Sequence, residues 1–321
     1  AKIDALLEKV ALLEVKNKKM KKVYNKKNIW MGYLFIAPFM ISFLIFIILP
    51  CVSAALLAFT QYDSINMPKF LGLKNFVHML TNDILLMKKV IPNTFMFAVI
   101  VGPVGYALQF LLAWLLNKLS EKVQLLYVMA IYVPSIAGGV LISVVWSVFF
   151  SADRLGYLNN FLMKLGFIRN PIAWTQDGNY LMFVMIIVTL WGNMGVGFLS
   201  LFSGMQNVDA QIYEAGRIDG IRSPLTELVY LTIPSMKPQM LFSAIMAITG
   251  ALNAGAVGVQ LSGTNPTPDY GGQLIQNHIE DYAFSRLQLG YSTSLSFVLL
   301  LVVFGISQLC FRFLGSKEDE S

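Results

Sequence analysis

Three carboxylates crowd one short stretch of this sequence: Glu214, Asp219 and Glu227, separated by 5 and then 8 residues. Paired carboxylates can act as general acid and base, usually with a histidine or another partner beside them. Neither spacing forms an evident dyad, and no histidine is near. The two histidines, His78 and His278, stand in no metal-binding pattern, and both are expected in solvated loops. Cys51 and Cys310 each fall inside an apolar run, which argues against a disulfide or a zinc site. The phosphate-loop pattern G-x-x-x-x-G-K-[ST] is missing, so the chain does not hydrolyse ATP by that mechanism. No metal, no cofactor and no enzymatic activity are expected.

The elements that would position these residues are written in the distribution of charge. Hydrophobic residues make up 56% of the 321 and charged residues 13%, with a mean hydropathy of +0.63. Soluble domains carry about 25% charged residues. Residues 28–62, 90–117, 123–152, 178–208, 238–268 and 287–311 contain no Asp, Glu, Lys or Arg. About 20 apolar residues cross the hydrocarbon of a bilayer. In lipid the backbone must satisfy its own hydrogen bonds, so each stretch is expected to be a transmembrane helix. The fold class is all-α integral membrane, with six spans.

The net charge of +6 is concentrated at one end, with nine lysines in the first 27 residues. That flank places the N-terminus in the cytoplasm, can bind anionic lipid, and is not a nucleic-acid footprint. On this topology the C-terminus is also inside, and the cytoplasmic segments hold 16 of the 24 Lys and Arg. The first span is expected to be an uncleaved anchor. Ile3, Leu6, Leu7, Val10 and Leu13 lie at helical spacing, as in an amphipathic helix on the membrane surface or against a partner, with a loosely held extension as the competing reading. The expected organisation is a basic extension over 1–29, a membrane domain over 30–313 and a cytoplasmic tail over 314–321.

Several spans carry helix-breaking or polar residues. Breaks are expected at Gly102-Pro103, at Pro134 with Gly138-Gly139, around Gly192, Gly195 and Gly197, and around Gly250, Gly255 and Gly258. Trp191, Asn193, Asn253, Gln260, Tyr106 and Gln109 are the candidates for an uncharged, amide-lined pathway, with interhelical hydrogen bonding as the competing role. With no ionisable group in any span, a proton-driven carrier is disfavoured, and so is an anionic solute. A neutral, hydroxyl-rich cargo fits better.

The loop over 207–234 has the caps of a helix-turn-helix. Asp209 is the expected N-cap, Gly220 the left-handed terminator, Ser223 the second N-cap, Pro224 the first helical residue and Pro234 the stop. Leu225, Leu228 and Val229 would give the second helix an apolar face that asks for a partner.

Glu214-Ala215-Gly216, three residues, Gly220 and the ending Leu231-Thr232-Ile233-Pro234 resemble the EAA loop of ATP-binding-cassette (ABC) importer permeases. Arg217-Ile218-Asp219-Gly220 and Lys237-Pro238 are similar to its carbohydrate-uptake branch, which includes the maltose transporter permeases. The resemblance extends to Phe70-Leu71-Gly72-Leu73-Lys74-Asn75-Phe76, Asn93-Thr94, Tyr132-Val133-Pro134 with Trp146, and Leu155-Gly156-Tyr157-Leu158-Asn159. It covers roughly residues 30–313. Gly216 departs from the usual second alanine, and the interval from Gly220 to Pro234 is slightly long, as in an oligosaccharide-uptake subgroup.

The resemblance implies a permease of the bacterial cytoplasmic membrane that forms half of a carbohydrate pathway. Its partners would be a second homologous permease, an ABC ATPase dimer and an extracytoplasmic solute-binding protein. Glu214, Ala215, Gly216, Gly220, Pro224, Leu225 and Leu228 would form the contact with the ATPase. A stand-alone channel or carrier and an integral-membrane enzyme are the competing classes.

Overall fold

A computed structural model describes residues 26–137 and 139–314. The amphipathic stripe expected over 3–13 and the tail beyond 314 lie outside the described residues. The chain divides into two compact units, 1–56 and 57–321. In the first, α1 (Lys26–Phe43) passes through a π turn (Leu44–Ile48) into α2 (Leu49–Leu57). Trp30–Leu57 is a helix long and apolar enough to span a membrane. Cys51 and Cys310 are free thiols.

The second unit begins with the antiparallel pair β1 (Thr60–Gln61) and β2 (Lys69–Phe70), followed by α3 (Lys74–Thr81). A π turn over Leu86–Val90 leads into α4 (Ile91–Leu116). The break expected at Gly102-Pro103 does not occur, because α4 runs unbroken through Pro103. Proline removes one backbone hydrogen bond, and packing from neighbouring helices holds a membrane helix together around it. Ile248 packs beside this stretch, 3.9 Å from where a Cβ on Gly102 would stand.

The third charge-free stretch forms two helices, α5 (Glu121–Ile136) and α6 (Gly139–Phe149), interrupted where the glycine pair was expected to act. The short α7 (Tyr157–Lys164) precedes α8 (Gly178–Gly192) and α9 (Val196–Gln206). The last two are separated at Asn193–Gly195 yet together form one helix of span length. α10 (Ala210–Ile218) and α11 (Pro224–Glu227) make the hairpin. α12 (Lys237–Leu252) and α13 (Ala256–Ser262) are bent by 46°. α14 (Ile275–Glu280) and α15 (Leu289–Leu314) complete the chain. Four described helices meet the length and apolarity of a membrane span, and α12 with α13 makes a fifth if counted together.

α4 is the axis of the second unit. Phe97 and Val101 join the core of α6, α8 and α13. Ala113 and Leu116 join Phe198, Leu201, Met205 and Met236. Val90, in the turn before α4, joins Leu252, Tyr282, Tyr291 and Leu295.

Candidate functional site

The break between α8 and α9 exposes backbone that a continuous helix would have satisfied. Gln109, one face of α4 away, answers it: its Nε2 donates to the Asn193 carbonyl at 2.6 Å. Ser243 of α12 donates from Oγ to Gln109 Oε1 at 3.2 Å. Gly197 permits this meeting of three helices, because a Cβ there would lie 2.8 Å from Gln109 Oε1. Gln109, Asn193, Thr249 and Asn253 then line an open cleft of about 310 Å³ with no charged residue on its walls. Asn253 Nδ2 donates to Thr249 O at 2.9 Å. Asn193 Nδ2 is buried with no hydrogen-bond partner among the described residues. Such an orphan asks for an enclosed water as its acceptor.

Three of the six pathway candidates therefore meet. The other three are not among the residues lining the cleft. Trp191 packs edge-on against Trp146 with ring centroids 5.5 Å apart. Tyr106 is on α4, its hydroxyl buried with no hydrogen-bond partner among the described residues. Gln260 lies on α13, beyond the bend.

The hairpin forms as its caps dictate. Asp209 accepts the Gln211 amide at 2.9 Å. Gly220 has φ +91°. The amide of Gly220 donates to Arg217 O at 3.2 Å and that of Ile221 to Gly216 O at 2.9 Å, the paired bonds of a Schellman motif. Pro224 opens α11 as expected, but the Ser223 side chain makes no capping bond. Pro234 does not stop the second arm. A π turn over Leu228–Thr232 carries the helix into Ile233–Ser235, and the break falls at Met236. The wider π turn puts Pro234 in the first turn of the following segment, where its missing N–H costs least.

Gly216, the departure from alanine, is buried against the second arm, where a Cβ would lie 2.6 Å from Leu231 Cδ1. Tyr213 and Thr232 join the arms through their hydroxyls at 3.1 Å. Glu214 and Ala215 are exposed and Leu228 is half-buried. Ile218 is 87% exposed and Leu225 63%, with Val229 and Tyr230 also uncovered. Glu214 and Glu227 do come together, lining a cleft of about 280 Å³ with Lys118 and Arg217.

His278 corrects the sequence reading outright. It is helical, 1% exposed, and its Nε2 lies 2.8 Å from Asp83 Oδ2. Tyr291 donates its hydroxyl to the same oxygen at 2.8 Å, and the Leu86 amide donates to Asp83 Oδ1 at 2.9 Å. Burial opposes the Asp83 charge, but the bonds from His278, the Leu86 amide and Tyr291 outweigh it and hold the carboxyl at about 2. His78 is exposed, as expected, but sits on α3 rather than in a loop. Among the described residues no group of three or more His, Cys, Asp and Glu could hold a metal.

Known proteins resemble this chain in sequence and fold. The chain is 29% identical over 289 residues to the probable ABC transporter permease protein YesP of Bacillus subtilis, covering 89% of this chain and 91% of the relative. It is 27% identical to the arabinooligosaccharides transport system permease protein AraP of the same organism, covering 92% of each. It is 28% identical to the lactose transport system permease protein LacF of Rhizobium radiobacter, covering 89% and 94%. Its fold matches a solved bacterial ABC transporter involved in the import of the acidic polysaccharide alginate, with TM-score 0.74 at 18% identity, covering 91% of this chain and 99% of the other. Residues 103–313 match the model of the binding-protein-dependent transport system inner membrane components. The chain belongs to that family and is a multi-pass permease of the inner membrane.

Proposed function

We propose that this permease forms one half of the translocation path of an ABC importer for a neutral oligosaccharide, and that α10 and α11 couple it to a separate ATPase dimer. The observation that carries the reading is the α10–α11 hairpin. It is fixed internally by the Asp209 cap, the Schellman turn and the Tyr213–Thr232 contact, yet leaves Ile218, Leu225, Val229 and Tyr230 uncovered. A rigid element with an apolar outer face is suited to transmit a partner's movement. The resemblance of its Glu214-Ala215-Gly216 and Gly220 to the EAA loop supports the same role. The names of the relatives, which include lactose and arabinooligosaccharide permeases, support a sugar cargo.

The chain crosses the membrane six times on this reading, α5 with α6 and α12 with α13 each serving as one interrupted crossing. The hairpin faces the cytoplasm. The uncharged cleft of Gln109, Asn193 and Asn253 is where hydroxyl groups of the cargo exchange water for amides. The interruptions beside that cleft let the spans bend between inward-open and outward-open states. A second permease supplies the other half of the path, and an extracytoplasmic binding protein delivers the cargo.

The test is co-purification of the tagged chain from mild-detergent membranes. Wild type is expected to bring down an ATPase subunit and a second permease, and Gly220→Pro and Glu214→Ala to lose the ATPase. A wild-type chain that purifies alone, stable and without these subunits, overturns the reading.

A further inference from the structure

A second cleft, of about 760 Å³, lies between α3 and the segment that leads into α15. It is at the end of α4 remote from α10. α4 has 26 residues, about 39 Å of helix. On the orientation proposed above, the cleft opens outside the cell.

Its charges are unevenly used. Arg286 spends Nε and Nη2 on Asp281 Oδ2, both at 2.8 Å. Asp63 accepts the Ile65 amide and both nitrogens of Asn66. Lys74 and His78 also line the cleft, one helical turn apart on α3. Neither side chain makes a hydrogen bond or an ion pair with the described residues. The cleft therefore offers an ammonium group and an imidazole that no carboxylate among the described residues bonds, although Asp63 on the same wall keeps its own charge.

The walls are fixed before any ligand arrives. Asn75 Nδ2 donates to Ala58 O, Thr60 O and Gly290 O at 2.9, 2.9 and 3.2 Å, tying α3 to both neighbouring segments. The His78 ring meets Tyr291 edge-on at 5.0 Å, and Tyr291 is anchored on buried Asp83. A preorganised site loses little on binding.

We propose that this cleft receives an acidic side chain of the extracytoplasmic solute-binding protein, with Lys74 and His78 as its partners. The proposal rests on the importer reading. The carboxylate belongs to the delivering protein and not to the cargo, because the inner cleft, through which cargo must pass, has no cation on its walls. A charged sugar that bound here would meet no counter-charge there.

The experiment uses the complete reconstituted transporter: both permeases, the ATPase dimer and the liganded binding protein. ATPase rate is followed against binding-protein concentration. Lys74→Glu is expected to raise the half-saturating concentration about tenfold with the stimulated maximum retained, the scale of one lost charge pair. His78→Gln is expected to raise it less. Lys164→Glu, a charge reversal on α7 outside the cleft, is expected to leave it unchanged. A Glu→Lys scan of the binding protein is expected to find one position that restores the Lys74→Glu transporter. Stimulation unchanged by Lys74→Glu overturns this proposal alone. So does trigalacturonate, without binding protein, binding the wild type and not Lys74→Glu, which would make the site one for cargo. A wild-type transporter that no binding protein stimulates overturns the importer reading and this proposal together.

Discussion

The Gln109 side chain and the Asn193 backbone, 84 residues apart, meet at 2.6 Å where α8 gives way to α9. That bond closes the interruption on one side and leaves the Asn193 Nδ2 amide buried on the other, with no partner among the described residues. Stability and cargo handling should therefore separate. Gln109→Ala frees the Asn193 carbonyl and the Ser243 hydroxyl, and is expected to cost about 1–3 kcal/mol. Asn193→Ala removes a side-chain nitrogen that has no partner among the described residues, and is expected to leave the melting temperature in detergent nearly unchanged while weakening the apparent affinity for cargo. Equal thermal losses in the two variants would show that the cleft is only a packing joint.

Asp83 sets a pH dependence with a definite sign. Its carboxyl is held at about 2 against an ordinary 3.8. A depressed folded-state value contributes stability that is fully present above about pH 4 and is lost as pH falls toward 2. Wild type is expected to unfold at a higher temperature than Asp83→Asn at pH 6, with the gap narrowing below pH 4. His278→Phe leaves the carboxylate buried with one bond fewer, at an expected cost of about 3 kcal/mol. A wild-type advantage that stays flat from pH 6 to the acid limit of the fold would contradict this account of Asp83.

Gly216 and Gly220 are glycines for different reasons, and substitution should tell them apart. Gly216→Ala forces Leu231 Cδ1 away from 2.6 Å. Leu231 is a flexible side chain, so a loss of about 1 kcal/mol is expected, relieved in Gly216→Ala/Leu231→Ala. Gly220→Ala pays for φ +91°, about 1–2 kcal/mol, and no neighbouring truncation should relieve it. Thermal unfolding of the three variants checks both statements.

The N-cap of α10 is a single hydrogen bond, from the Gln211 amide to Asp209 at 2.9 Å. Asp209→Ala is expected to cost about 1 kcal/mol of local stability. Amide exchange is the appropriate readout. Faster exchange should be confined to the first turn of α10, and uniform acceleration across the second unit would refute a capping role.

What was legible in the sequence is what depends on neighbours along the chain. Charge-free runs marked the apolar helices, and Asp209, Gly220 and Pro224 marked the turns of the hairpin, because caps act within four or five residues. The remainder depends on tertiary contacts. Asp83 and His278 are 195 residues apart, and nothing in the spacing of either announces a buried pair. Pro103 looked like a break because proline removes a local hydrogen bond, while the packing that holds α4 together comes from other helices. Pro234 looked like a stop because a π turn before it has no clear sequence signature. Gln109, Asn193 and Asn253 were recognisable as polar residues in apolar surroundings. Only the fold distinguishes them from Trp191, Tyr106 and Gln260, which fall outside the cleft.

The most direct measurement of the central claim is uptake of a labelled neutral oligosaccharide into proteoliposomes, comparing the chain alone with the chain assembled with a second permease, an ATPase dimer and a binding protein. The account expects no uptake by the chain alone, and uptake by the assembly only when ATP is supplied on the hairpin side. Uptake by the chain alone, without ATP, would contradict it and make this protein a self-sufficient carrier.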